Sequence, residues 1–215
     1  MHKYLTELFG VFFLALISIL ATTGNYTALA PLAMGAALTA LTGVARDISG
    51  AHFNPVVSMA AFIRGKIDRI DILYYVIAQV LGGILAGTVA VFLTESSLSS
   101  IPEIEPRQNA GLPATVAEFL GAFAWTMVAL SALVKSDKSP RGGFLLGLTV
   151  LALGIALRDV SGAVFNPALA VSWMISGMAF WADLPVYIIG PLLGAAAAAS
   201  VFYLIEKIPA DEFNI

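Results

Sequence analysis

Long apolar runs dominate the chain, at about 5–23, 28–45, 71–93, 113–134, 142–157 and 184–206. Each approaches the roughly 20 residues that carry a helix across a hydrocarbon layer, so the pattern predicts six spanning helices. Between the third and fourth runs the polar stretch from Thr94 to Pro113 carries Glu95, Glu103, Glu105 and Arg107. It reads as an external loop joining two halves, about 1–100 and 113–215.

The halves are copies of one unit. Shifting the chain by 112 positions lays Arg46-Asp47-Ile48-Ser49-Gly50-Ala51-His52-Phe53-Asn54-Pro55 over Arg158-Asp159-Val160-Ser161-Gly162-Ala163-Val164-Phe165-Asn166-Pro167, identical at eight of ten positions. Glu7-Leu8-Phe9-Gly10 likewise matches Glu118-Phe119-Leu120-Gly121 at an offset of 111, and Gly82 falls on Gly194. A unit of three spans is odd, so its second copy enters the membrane upside down, an inverted repeat of the kind that builds transporters and channels.

Within each copy a Ser-Gly turn and extended residues lead to Asn-Pro and then to an apolar run stopped by Gly65 or Gly177. Asn suits the N-cap, Pro the first helical position and Gly the residue past the end. The runs predict helices of about eleven residues or fewer, some 16 Å long, which cross only half of a roughly 30 Å layer. Inversion sends one from each side, with their Asn-Pro ends meeting near the midplane. The residues ahead of each Asn must be buried in protein or line a watery cavity, because lipid leaves backbone polar groups unpaired.

Composition narrows the class. Of 215 residues, 59% are hydrophobic and 12% charged, against roughly 25% charged in soluble domains, and the mean hydropathy is +0.90. That excludes a soluble globule and predicts one all-α membrane domain over 1–215, with six transmembrane helices and two re-entrant half-helices. With no Cys and two His, neither a metal site nor a cofactor is expected, and a net charge of −3 gives no reason to expect a nucleic-acid partner. The first run follows Lys3 like a cleaved signal peptide, but Glu7 inside it argues against that. With a cytoplasmic N-terminus, the inner segments collect Lys3, Arg46, Arg64, Lys66, Arg69, Lys135, Lys138, Arg141 and Lys207, leaving only Arg107 and Arg158 outside. The positive-inside rule thus places both termini in the cytoplasm, in a plasma or inner membrane.

Two helix N-termini aimed at one point each bring about half a positive charge, and Asn54 and Asn166 add amide donors. Cations and protons are repelled there. The backbone carbonyls of Gly50, Ala51, His52 and Phe53, and of Gly162, Ala163, Val164 and Phe165, offer a ladder of acceptors to a neutral solute, replacing its hydration stepwise without a deep well.

This pattern resembles the major intrinsic proteins, the aquaporin and aquaglyceroporin family, through two Asn-Pro-Ala-type boxes, Asn54-Pro55-Val56 and Asn166-Pro167-Ala168, in an inverted repeat of six spans. The resemblance implies a homotetramer with one pore per subunit, in contact with lipid and conducting water or small neutral solutes. It also assigns Glu7 and Glu118 to buried carboxylates that anchor the re-entrant loops. A carboxylate inside a span costs about 2.5 to 3.5 kcal/mol on insertion scales and needs such partners. By counting from the boxes, the family's outer filter falls on Met34, Gly154, Ala163 and Leu169. Most members carry Arg where Leu169 stands, and glycerol channels usually follow it with Asp where this chain has Ala170. The expected filter is therefore wider and more apolar than a water-selective one.

Two other functional classes compete with a channel. A secondary active transporter would use Glu7 and Glu118 as a proton or ion path, and a non-conducting membrane protein would keep an apolar filter dry. Locally, His52 is either a pH sensor or a loop residue packed at the inner vestibule. Arg46 with Asp47 and Arg158 with Asp159 read as ion pairs stabilising the loops, or as attractors for permeants. The run from Gly194 to Ser200 reads as close helix contact. Asn25-Tyr26-Thr27 is a formal glycosylation sequon in an outer loop, and Ser136 and Ser139 lie in a solvated connector that phosphorylation could modify.

Overall fold

A computed structural model describes residues 1–94, 111–134 and 141–207. Most of the expected external loop, and the connector carrying Ser136 and Ser139, lie outside the described residues. Eight α-helices occur among the described residues: α1 His2–Thr23, α2 Ala30–Ser49, α3 Pro55–Ile63, α4 Arg69–Leu93, α5 Gly111–Val134, α6 Arg141–Ser161, α7 Pro167–Ile175 and α8 Leu184–Glu206. Six are long and apolar enough to cross a membrane. α3 and α7 have nine residues each, about 13 Å at 1.5 Å per residue, and are too short to do so.

Two boundaries correct the sequence expectation. α2 and α6 continue past 45 and 157 to Ser49 and Ser161, so Arg46-Asp47 and Arg158-Asp159 ride on final helical turns, not in loops. A cation is welcome there, because the last turn exposes carbonyls and the negative end of the helix dipole. The Ser-Gly pair is a helix end rather than a free turn: Gly50 at φ 85° and Gly162 at φ 87° take the left-handed conformation that closes a helix.

α1 packs on α4 and α5 on α8, while α2 crosses α6. The crossings depend on missing side chains. A Cβ on Gly147 would fall on the Gly35 carbonyl and the Thr39 hydroxyl, and one on Gly82 or Gly194 would strike the Leu8 or Phe119 carbonyl. Small residues replace the hydrophobic effect as the means of bringing helices together where the surroundings are themselves apolar. Ala195, Ala198 and Ala199 on α8 are fully buried in the same way. Large apolar side chains such as Phe9, Val44, Leu81 and Leu148 point outward, as a lipid-facing surface requires.

Contacts at the helix ends show the inversion. Lys3 Nζ at the start of α1 lies 2.6 Å from Asp71 at the start of α4. Arg64, just past α3, pairs with Glu206 at the end of α8, and Arg46 at the end of α2 donates to the Ala132 carbonyl near the end of α5. At the opposite face Arg158 Nη1 donates to the Thr27 carbonyl at 2.7 Å. Starts of the first unit thus share a side with ends of the second. α3 lies against α4, α5 and α8, and α7 against α1, α4 and α8, so each short helix is enclosed by spans of both halves.

Gly147→Ala should lower thermal stability in detergent, since overpacking costs about 1–3 kcal/mol. Gly43→Ala, where a Cβ meets nothing within 4 Å, should be neutral or stabilising by up to about 1 kcal/mol. Equal melting temperatures for the two variants would contradict a tight α2–α6 crossing.

Candidate functional site

Each short helix begins in the way its sequence dictates. Asn54 and Asn166 are extended N-caps whose Oδ1 atoms accept from the Val56 and Ala168 amides at 3.1 and 3.0 Å, with Pro55 and Pro167 filling the first helical positions. The second amide function reaches across the repeat. Asn54 Nδ2 donates to the Phe165 carbonyl at 3.0 Å, and Asn166 Nδ2 donates to the Phe53 carbonyl at 2.8 Å. Both Asn side chains are completely buried. The positive ends of α3 and α7 are thereby fixed together in the interior.

The residues ahead of each Asn are not simply extended. Ala51, Phe53, Ala163 and Phe165 take φ values between 50° and 56°, a region that costs a non-glycine residue about 1–3 kcal/mol. Such backbone persists only where its surroundings over-determine it. Glu7 Oε1 accepts from Ser49 Oγ at 2.7 Å and the His52 amide at 3.0 Å, and Oε2 accepts from the Phe53 amide at 2.6 Å. Glu118 repeats this with Ser161 Oγ, the Val164 amide and the Phe165 amide at 2.7, 3.0 and 2.6 Å. Both carboxylates are fully buried. Tyr75 and Tyr187, again 112 positions apart, donate to the Ser49 and Ser161 carbonyls at 2.7 and 2.9 Å.

The first half adds polar groups that the second lacks. Gln79 Nε2 donates to Glu7 Oε2 at 2.8 Å and to Ser58 Oγ at 2.9 Å, while Ser58 Oγ donates to the Asn54 carbonyl at 3.2 Å. His52 Nδ1 lies 3.1 Å from Ser58 Oγ. Ser58 Oγ thus joins Asn54, Gln79 and His52 in one buried polar cluster. His52 is buried, with its ring 5.1 Å from that of Tyr75, instead of facing an open vestibule. The equivalent positions in the second half are Val164, Ala170 and Pro191. Gln79, Ser58, Tyr75 and Tyr187 were not singled out from the sequence; the 112-residue offset of the two tyrosines was the available signal.

Above α7 lies a cavity of about 330 Å³. Met34, Gly154, Ala163 and Leu169 all line it, as do Gly162 and Val164, whereas Gly50, Ala51, His52 and Phe53 do not. Two tryptophans complete its wall. Trp173 donates from Nε1 to Ser18 Oγ at 2.9 Å, and Trp125 on α5 is 1% exposed. Arg158 and Asp159, with Nε and Oδ1 4.0 Å apart, lie at the outer rim. Of the eight carbonyls expected to form an acceptor ladder, those of Phe53 and Phe165 already accept from the Asn pair.

Residues 1–203 match the model of the family described as Major intrinsic protein. The chain is 33% identical to the glycerol uptake facilitator protein-like 6 of Lactiplantibacillus plantarum, over 93% of this chain and 95% of that protein. It is 29% identical to aquaporin AqpM of Methanothermobacter thermautotrophicus, over 86% of this chain and 79% of that protein. In fold it is similar to the aquaglyceroporin from Plasmodium falciparum, with a TM-score of 0.71 at 21% identity, covering 99% of this chain and 98% of that one.

Glu118→Ala should reduce folded yield and melting temperature, because it leaves two amides and a hydroxyl without an acceptor, each at about 1–3 kcal/mol. Glu118→Gln, which keeps one oxygen but turns an amide donor toward another donor, should fall between the two. Size-exclusion profiles and thermal melts in detergent read this, and an Ala variant as stable as the parent would show that the strained segment is held by other contacts.

Proposed function

The chain belongs to the major intrinsic protein family, and on that premise we propose a passive transmembrane channel for water and small neutral solutes of the glycerol, urea or ammonia kind, with a wide, apolar outer filter. The observation that carries this reading is the wall of the outer cavity. Met34, Gly154, Ala163 and Leu169, the positions that the family resemblance assigns to the filter, all contribute to it, and none bears a charge. The names of the similar proteins span both aquaporins and a glycerol facilitator.

Solutes pass the outer cavity and then the paired ends of α3 and α7, where each Asn offers its remaining amide hydrogen. The midplane charge barrier comes from the two helix N-termini. Residues Gly50 to Phe53 and Gly162 to Phe165 supply carbonyl acceptors on either side. Glu7 and Glu118 serve as anchors: each already accepts three or more hydrogen bonds from its own half, which favours this role over a proton path in a transporter. The protein acts as a homotetramer with a pore in each subunit, in a plasma or inner membrane. Both termini face the cytoplasm, in keeping with the clustering of Lys3, Arg46, Arg64 and Lys207 at one end of the bundle.

Stopped-flow light scattering on proteoliposomes, with water, glycerol, urea and ammonia compared, tests the reading. Downhill flux with weak temperature dependence supports a channel; saturable uptake that needs an ion gradient supports the transporter, and silence toward every solute supports a dry, non-conducting collar. Leu169→Arg should cut glycerol flux roughly tenfold, an added barrier of about 1.4 kcal/mol, while water still passes. A parent that conducts water alone, unchanged by this substitution, would refute the wide filter.

A further inference from the structure

One residue in the wall of the outer cavity carries a polar group that the filter positions do not explain. Trp125 lines the cavity, and its indole N–H is buried with no hydrogen-bond partner among the described residues. The other cavity tryptophan, Trp173, has its N–H satisfied by Ser18. A buried donor left unpaired costs about 1–3 kcal/mol, and buried Trp N–H groups ordinarily find an acceptor.

Depth gives this orphan its meaning. Trp125 lies seven residues after Glu118, two turns or about 10 Å further along α5, and within three residues of the middle of that helix. It therefore lies near the depth where α3 and α7 meet, at the inner limit of a cavity whose rim is Arg158 and Asp159. By the repeat, its counterpart is Leu14 on α1, which is fully buried. The second half has thus placed an indole where the first has an aliphatic side chain. Trp125 lines the cavity with only 1% of its surface exposed, beside Leu169, Val164 and Val150, which are almost as closed. The four filter positions above it supply three side chains of Met, Ala and Leu and one bare Gly154.

We propose that Trp125 is a specificity-determining residue of this pore: its ring sets the narrowest width below the outer filter, and its free N–H donates to the oxygen of the permeant. This rests on the channel reading above. The favoured permeant is a small neutral molecule with a hydroxyl or carbonyl oxygen to accept from the indole and an apolar edge to slide past Leu169 and Val150. The donor acts without charge, so it selects for an acceptor without attracting anions.

Trp125→Phe keeps an aromatic ring and removes the donor; Trp125→Leu copies the first half and removes the bulk. In proteoliposomes, Trp125→Phe should lower glycerol permeability about two- to tenfold, the weight of one neutral hydrogen bond, while water permeability falls less. Trp125→Leu should admit a four-carbon polyol that the parent excludes. The ratio of glycerol to water flux is the readout, because a general folding defect scales both together. In the parent protein labelled with 5-fluorotryptophan, glycerol should shift the fluorine resonance that Trp125→Phe removes or, should that variant not fold, the one that Trp125→Leu removes. A parent that conducts glycerol with an unaltered ratio in Trp125→Phe, or no buried resonance that moves with glycerol, overturns the assignment while leaving the channel intact. A parent that conducts neither water nor glycerol overturns the channel reading and this assignment together.

Discussion

Everything in the centre of this protein depends on one constraint: non-helical backbone deep in an apolar layer has no water to satisfy it. Two carboxylates meet that demand. Glu7 and Glu118 stand on spanning helices in equivalent places and accept from two consecutive backbone amides and a serine each, with matching distances in the two halves. Charge-assisted bonds of this kind contribute about 1.5–3 kcal/mol each, enough to offset left-handed backbone at Ala51, Phe53, Ala163 and Phe165. Burying a carboxylate is costly in isolation. Here the cost of the carboxylate and the cost of the bare amides cancel each other, and a half-helix becomes possible.

The Asn pair then converts two held segments into one site. An amide side chain has two acceptor lone pairs and two donor hydrogens. Each Asn spends its oxygen on its own helix and one hydrogen on the opposite half's Phe carbonyl, so neither half can shift without breaking a cap or a cross-link. One hydrogen per Asn remains. The arrangement explains why the residue is Asn in both copies: Asp would place a second acceptor against the Phe carbonyl, and Ser could cap the helix but not also span the gap.

The six spans, the short helices and the inverted halves were legible because each leaves a linear trace: run length, a cap-Pro-Gly pattern, and a motif recurring after 112 residues. Helix ends were less legible. Charged Arg46-Asp47 and Arg158-Asp159 end an apolar run but not a helix, since a last turn that projects beyond the apolar layer accepts polar side chains. The His52–Ser58–Gln79 cluster left no trace because it exists only in the first half; the repeat that revealed so much is silent where the copies differ. Trp125 was hidden for the opposite reason, since an aromatic in an apolar span looks like any lipid-facing or core residue until its unpaired N–H is seen.

On the channel reading, size selection and charge exclusion are separable in this protein. A filter arginine would perform both at one place. With Leu169 there, the outer cavity sorts by width and hydrogen bonding, and rejection of cations falls to the two helix N-termini. They approach one point from opposite sides, so their dipoles, antiparallel to each other, cancel far from the site but present positive ends that add for a charge held between them. The low dielectric around the fully buried Asn54 and Asn166 strengthens that repulsion relative to water. A neutral permeant feels none of it and keeps its hydrogen bonds. On this reading an uncharged Leu169 leaves the barrier to ions in place, because that barrier arises from the backbone ends of α3 and α7.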